Sequence, residues 1–238
     1  MKYEFKFDLG EYLKKKWKNI LLMLVAVFIM GVGVAVLKIT GLGPDPCSAL
    51  HYAMAEVTGL SFGTYQLCIN AVLFLFLLFR DRSLFGPGTL GNMIIVGYSA
   101  DFTSWIISLI FGEDFKIESL PVAVAVMIPA LAVFVVAAAV YMNSDTGTSP
   151  YDAFSFHIHK TLEKKTGKKI PFKIVRISYD LAVTLLAVAV CLIAGIDMTV
   201  GAVTVIMVFA LGPVIDVVGK IMFPKKPADT DTEQSETK

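Results

Sequence analysis

Charged side chains are scarce in this sequence. They make up 17% of the residues, against 56% hydrophobic residues, and the mean hydropathy is +0.71. A soluble domain of this length needs a more polar surface, so the composition argues against an ordinary globular protein. Several apolar runs instead reach the roughly 20 residues that cross a bilayer. We therefore expect an all-α, polytopic membrane protein surrounded by the lipid bilayer.

Cysteine and histidine are also few, and neither forms a ligand pattern. Cys47, Cys68 and Cys191 are scattered through apolar surroundings without a paired spacing, which argues against a disulfide framework or a zinc site. His51 follows Cys47 by one helical turn, but two ligands do not make a metal site.

Familiar catalytic and nucleotide-binding motifs are missing. The sequence has no helical His-Glu-x-x-His, no phosphate-cradling glycine loop and no glycine-x-serine-x-glycine elbow. These absences disfavour an enzyme and an ATP-driven pump. We expect no cofactor, no bound metal and no nucleic-acid partner.

Long apolar runs divide the chain into about six transmembrane helices. A basic, amphipathic segment at 1–18 precedes them and is expected on the cytoplasmic surface, and the polar tail at 224–238 is expected to be disordered. The six expected spans are 20–37, 62–79, 90–111, 120–142, 174–196 and 199–222.

Positive charge gathers in alternate loops. When the N-terminus is placed in the cytoplasm, all of the strongly basic loops become cytoplasmic, and the outer loops keep only Lys38 and Lys116. Both termini are then cytoplasmic. The basic loops are Arg80 with Arg82, Lys160 through Lys169, and Lys225 with Lys226.

Two stretches of the chain, 41–50 and 145–154, repeat one outline. Each follows an apolar run and is built like a helix start, with Asp45 or Ser149 as the cap and a proline at the first helical position. They predict short helices at 46–58 and 150–162, either re-entrant or interfacial. The aligned residues are Gly43, Pro46, Ala49 and Leu50 with Gly147, Pro150, Ala153 and Phe154.

The second half of each unit supports a duplication. Gly86 precedes Asp101 by 15 residues, and Gly201 precedes Asp216 by the same 15. An odd number of crossings separates the two copies, so they run in opposite directions. The sequence therefore predicts two inverted three-helix repeats, at 19–118 and 119–223.

The motifs carry a resemblance to a known family. A glycine-x-serine-proline-aromatic-aspartate stretch, a later glycine-threonine and a closing glycine-x-x-x-aspartate helix resemble the YczE/YyaS/YitT family of bacterial integral membrane proteins over most of 20–222. The second copy, 147–152, matches best, while the first has Asp45, Cys47 and Ser48 where serine, an aromatic residue and aspartate are expected. The resemblance implies this fold and a bacterial plasma membrane.

Helix starts inside a membrane are candidate binding sites. Their free N–H groups and positive dipole ends favour a carboxylate, phosphate or other anion, and inverted-repeat transporters place such ends near the repeat interface. We expect a small polar or anionic solute here. The candidate binding residues are Asp45, Ser48, Asp101, Ser149, Tyr151 and Asp152.

Other charged residues within the spans are candidates for structural or gating roles. Arg176 and Asp180 share a helix face, and the position of Arg176 near the cytoplasmic end favours an anchoring role over ligand binding. Asp216 has Lys220 one turn on, which favours a structural pair. For Asp101 the sequence favours neither a functional role nor a structural ion pair with Lys38 over the other. Single amides such as Asn70 and Asn92 more commonly bond a neighbouring helix.

These features favour a small-solute transporter or permease, either secondary or facilitative. The alternative is a non-transporting accessory or scaffold protein of a biosynthetic or export system. A transporter predicts a polar cavity that opens to each side in turn, and a scaffold predicts a closed, dry interior. Homo-oligomerisation stays open, because small-residue faces serve internal packing as well as dimerisation.

Overall fold

The computed structural model describes residues 9–81, 84–113 and 115–223, and these residues are helical or lie in loops, with no strand among them. The helices are α1 Leu9–Ile39, α2 Pro46–Thr58, α3 Phe62–Leu78, α4 Pro87–Gly91, α5 Gly97–Phe111, α6 Leu120–Met142, α7 Pro150–Thr166, α8 Phe172–Ala194 and α9 Ala202–Met222. A π-helical turn, Asn92–Val96, joins α4 to α5 without a break.

Helices of membrane-spanning length dominate the described chain. By length and composition, five qualify by themselves: most of α1, the continuous α4–α5 segment, α6, α8 and α9. A sixth is reached if α2 and α3, which meet at 110°, form one broken span. Large apolar side chains on the outer faces of these helices stay exposed, as lipid contact requires. The prediction of an all-α, multi-pass membrane protein is confirmed.

The first helix begins earlier than the apolar run. It starts at Leu9, inside the segment expected to lie on the membrane surface, and continues unbroken into the span. The side chain of Asn19 donates a hydrogen bond to the carbonyl oxygen of Ser144 at 3.0 Å, and Lys16 forms an ion pair with Asp145. The early turns of α1 are thus tied to the loop before α7. Residues 1–8 and the tail at 224–238 lie outside the described residues.

Close approach of α1 to the third span depends on one glycine. A Cβ at Gly31 would lie 2.3 Å from the carbonyl oxygen of Val96 and 1.9 Å from the hydroxyl of Ser99. Small residues allow such backbone contact between membrane helices. On the same helix, Val34 and Ala35 are buried in the main apolar core, which also includes Phe134 of α6.

Both proline-started helices begin where the sequence predicts. α2 also ends as predicted, whereas α7 continues four residues beyond the expected end at 162, to Thr166. At α2, the Oδ1 atom of Asp45 accepts the backbone N–H of Ser48 at 3.2 Å, and Pro46 is the first helical residue. At α7, the hydroxyl of Ser149 accepts the backbone N–H of Asp152 at 3.1 Å. A left-handed glycine then ends each helix, since only glycine adopts that conformation without steric cost.

The loop before α2 holds the start of α9. The N–H of Val203 donates to the carbonyl oxygen of Leu42 at 2.9 Å, and the Thr204 hydroxyl donates to that of Pro44 at 2.7 Å. Gly43 has a positive φ of 86°, and a Cβ there would lie 2.5 Å from the backbone nitrogen of Gly201. One loop carbonyl thereby satisfies a free N–H group in the first turn of α9, and another accepts from the Thr204 hydroxyl.

The loop before α7 holds the start of α4 in the same way. The N–H of Gly88 donates to the carbonyl oxygen of Thr146 at 2.8 Å, and the Thr89 hydroxyl donates to that of Thr148 at 2.9 Å. Gly147 has a φ of 113°, and a Cβ there would lie 2.5 Å from the backbone nitrogen of Gly86. Each of these contacts has a counterpart at α9, and the residues that correspond are the ones that the sequence alignment of the two units pairs.

Candidate functional site

The N-terminal turns of α2 and α7 meet inside the bundle. Both line one cavity of about 90 Å³, here called the central cavity. A volume of this kind holds several waters or a small polar group. Five of the six residues proposed from the sequence as binding residues line it: Asp45, Ser48, Ser149, Tyr151 and Asp152. The sixth, Asp101, does not.

Further polar side chains line the central cavity from α2, α3, the π-helical turn and α6. These residues were hard to predict from the sequence, because a single amide or hydroxyl in an apolar run is compatible with many partners. One signal was present: Gln66 and Asn70 are one turn apart on α3, so both face the same side. The added lining residues are Cys47, His51, Gln66, Asn70, Asn92 and Tyr141.

Four of the lining side chains have an oxygen atom without a hydrogen-bond partner among the described residues. They are Oδ2 of Asp45, Oε1 of Gln66, Oδ1 of Asn70 and the hydroxyl of Tyr141. Their residues are 7%, 6%, 3% and 1% exposed. A buried polar group without a partner costs about 1–3 kcal/mol. Four such groups around one cavity indicate a site that a polar ligand or water completes.

Arg176 of α8 lies at one side of the central cavity, within an ion-pair network. It pairs with Asp152 and, through Nε at 2.9 Å, with Asp180. The hydroxyl of Tyr151 donates to the other oxygen of Asp180 at 2.7 Å, and Ser149 donates to Asp152 at the same distance. The shared face of Arg176 and Asp180 is confirmed.

The side chain of Arg176 turns inward instead of reaching the membrane surface, and it is only 18% exposed. This differs from the anchoring role that its position favoured. The physical reason is that two carboxylates, one from α7 and one from its own helix, offset the cost of burying the guanidinium. The network therefore joins α7 to α8 beside the cavity.

Asp101 lies in a second, larger space of about 1010 Å³, here called the open depression. Its Oδ2 atom accepts the backbone N–H of Gly63 at 2.9 Å, so the carboxylate caps the start of α3 from a neighbouring span. Lys38, its expected partner, also lines this space and lies over the ring of Tyr52 at 4.4 Å. The structure separates Asp101 from the other candidate binding residues.

One cluster of apolar side chains contributes lining residues to both the central cavity and the open depression. Tyr52 and Phe62 line the depression and stack on each other with ring centroids 4.1 Å apart. His51, the residue before Tyr52, lines the central cavity, as does Phe134, which belongs to the same apolar cluster as the stacked rings. One turn of α2 thus contributes to both spaces.

Asp216 is exposed on α9 and lines neither space. Its carboxylate forms no ion pair within 4.0 Å with Lys220, or with any other described residue, so the expected pair is absent. Both side chains are exposed, and a surface pair gains too little to fix two long side chains in one geometry. The structural or gating role of Asp216 stays a prediction.

The rim of the open depression carries one ion pair outside the spans. Lys116, in the loop before α6, donates a hydrogen bond to Asp197, in the loop after α8. This hydrogen bond, together with the positive charge of Lys116, lowers the pKa of the Asp197 carboxyl. The pair joins two loops that are 81 residues apart in the chain.

Comparison with known proteins gives one match. No curated protein and no solved structure matches the chain. One family model matches residues 17–220, which run from the early turns of α1 almost to the end of α9 and include every residue of the central cavity. The chain belongs to the DUF6198 family, a family of unknown function.

Proposed function

We propose that this multi-pass membrane protein is a small-solute transporter or permease, secondary or facilitative, whose binding site is the central cavity. One observation carries the proposal: the starts of two proline-capped helices line one cavity together with four side chains that have unpartnered oxygens. Irregular backbone at membrane depth is tolerated where it is buried in protein or lines a cavity.

The two proline-capped helices, α2 and α7, support a transport role over a purely structural one. Their caps and first turns bring hydrogen-bonding groups to the middle of an apolar bundle, as the discontinuous helices of secondary transporters do. A scaffold protein has no use for several buried polar oxygens that only water or a polar ligand can satisfy, since each one left unpaired destabilises the fold. The cavity therefore favours transport over the accessory or scaffold role.

The apolar cluster supports a gated pathway. The stacked rings of Tyr52 and Phe62 line the open depression, and the apolar cluster that contains them also contributes Phe134 to the central cavity. Alternating access requires a barrier of this kind on one side of the site at a time. The arrangement fits a state in which the pathway from the depression is closed.

The matched loop contacts support two inverted three-helix repeats as the moving parts. The contacts of Pro44 with Thr204 and of Thr148 with Thr89 tie each loop to the third span of the other unit. Rocking of one repeat against the other around a fixed site would then open each side in turn. Cytoplasmic termini and the resemblance to the YczE/YyaS/YitT family of the bacterial plasma membrane stay predictions.

A ligand screen tests the proposed site. Purified protein is melted with a panel of small metabolites and ions, because a ligand stabilises the state that binds it by mass action. The proposal expects a stabilising compound whose effect is lost in Asp45→Asn and Gln66→Leu but kept in Glu118→Gln, an exposed loop control. Stabilisation that persists in both cavity variants would contradict a site there. Uptake of the hit into proteoliposomes then tests transport.

A further inference from the structure

The N-terminal ends of α2 and α7 are where an anion would be expected to bind, but side chains of the protein already accept hydrogen bonds there. Oδ1 of Asp45 accepts the N–H of Ser48 at the start of α2. The hydroxyl of Ser149 accepts the N–H of Asp152, whose own carboxylate sits in the first turn of α7. The protein supplies its own negative groups to these positive helix ends, which leaves less there for a solute anion.

The basic side chain at the cavity is also committed. Among the described residues, Arg176 is the only lysine or arginine that lines the cavity. Asp152 and Asp180 both form ion pairs with it. Asp45 adds a further carboxylate. With histidine counted as neutral and each carboxyl group counted as ionised, three carboxylates face one guanidinium at and beside the cavity, and the formal local charge is negative.

The unpartnered atoms have the same preference. A carboxylate oxygen only accepts hydrogen bonds, and so does an amide oxygen. Oδ2 of Asp45, Oε1 of Gln66 and Oδ1 of Asn70 are such acceptors, and the Tyr141 hydroxyl can accept as well as donate. A ligand that donates hydrogen bonds and carries positive charge would satisfy these oxygens, whereas an anion would meet like charge at Asp45. The amides of Gln66 and Asn70 also have N–H donors and can serve either kind of ligand, so the carboxylates set the preference.

We propose that the central cavity selects a small organic cation, such as an ammonium-bearing solute, over an anion. The inference rests on the proposed function and names its substrate class. The volume of about 90 Å³ limits the group that enters to a few non-hydrogen atoms. Asp45 is the residue that this selection depends on most, because its free oxygen carries charge that is not balanced by Arg176.

The native thiol of Cys47 provides the test, because it lines the cavity. Cys68 and Cys191 are replaced by serine, and Cys47 is labelled with two methanethiosulfonate reagents, one with a primary ammonium group and one with a sulfonate group. Each rate is divided by the rate of the same reagent with free cysteine. The inference expects the cationic reagent to react about tenfold faster or more after this correction, through charge focusing in the cavity. Asp45→Asn should reduce the preference, and Glu118→Gln should keep it.

The outcomes separate the two proposals. Equal corrected rates, or a faster anionic reagent, would overturn the cation preference while leaving a solute-accessible cavity in place. A cation preference unchanged in Asp45→Asn would also overturn the inference as stated. Protection of Cys47 from both reagents, in protein that unfolds normally, would remove the accessible cavity and with it the transport proposal.

Discussion

The hydroxyl of Thr204 on α9 donates a hydrogen bond to the backbone carbonyl oxygen of Pro44, 2.7 Å away and 160 residues earlier in the chain. Thr89 makes the corresponding bond to Thr148 at 2.9 Å. Both threonines are fully buried. The two bonds attach each proline-started helix to the third span of the other half, and so fix the positions of the helix ends that line the central cavity.

Replacing either threonine by valine should destabilise the fold. Thr204→Val and Thr89→Val keep the side-chain volume but leave a buried carbonyl oxygen unpaired, which costs about 1–3 kcal/mol. The free energy of unfolding, measured by denaturant titration in mixed micelles, should fall by a similar amount in each variant. Thr166→Val, at the exposed end of α7, is the control. Full stability in both buried variants would show that these bonds do not hold the units together.

Glycine contacts at the same loops should tolerate no side chain. Gly147→Ala introduces a Cβ at a φ of 113° and 2.5 Å from the nitrogen of Gly86, so we expect a loss of about 3 kcal/mol or more. Gly59→Ala is the matched control, because its φ is also positive, at 68°, but its Cβ would meet nothing within 4 Å. It should cost only about 1–2 kcal/mol. Equal losses in thermal unfolding would assign the effect to φ alone and contradict the proposed contact.

Removing Arg176 alone should lower the free energy of unfolding more than removing Arg176 together with the charge of Asp180. Arg176→Gln leaves Asp152 and Asp180 buried without their cation, which predicts a loss of about 3–5 kcal/mol. The double variant Arg176→Gln with Asp180→Asn should recover part of that loss, because one uncompensated carboxylate disappears. Unfolding titrations of the two single variants and the double variant measure this coupling. Additive losses would mean that Arg176 and Asp180 act independently.

The loop pair of Lys116 and Asp197 should show a pH dependence. Lys116 lowers the pKa of Asp197 in the folded state, so the pair stabilises the fold above the unfolded-state pKa of about 3.9. This contribution is lost as the pH falls through the lowered folded-state value. The melting temperature of the wild type should therefore be slightly higher than that of Asp197→Asn at neutral pH and low salt. The difference should vanish in strong acid. A difference that persists there would exclude the ion pair as its cause.

Much of the fold could be predicted from the sequence, because its determinants are local. The fourth expected span has the same bounds as α6, and the caps Asp45 and Ser149 begin their helices as predicted. Apolar length, a capping side chain and proline at the first helical position act within a few residues. For that reason one sequence is enough to locate them.

The composition of the site could be predicted only in part, because its determinants are long-range. The sequence marked both helix starts, yet it did not show that Gln66, Asn70 and Tyr141 share a cavity with them. It grouped Asp101 with the helix starts because of charge and depth, although this carboxylate caps α3 elsewhere. Arg176 was expected to reach the surface because it lies near the cytoplasmic end of its span. Its inward partner on α7 is 24 residues away, and the sequence does not show that pairing. Such pairings depend on how the helices pack.

Accessibility of Cys47 from the two sides of a membrane tests the transport proposal most directly. The variant with Cys68 and Cys191 replaced by serine is placed in sealed vesicles, and a membrane-impermeant thiol reagent is applied to one face or the other. The account predicts that Cys47 is labelled from either face in the same preparation, because the cavity opens to each side in turn. Labelling from neither face, or from one face only, would contradict alternating access to the central cavity.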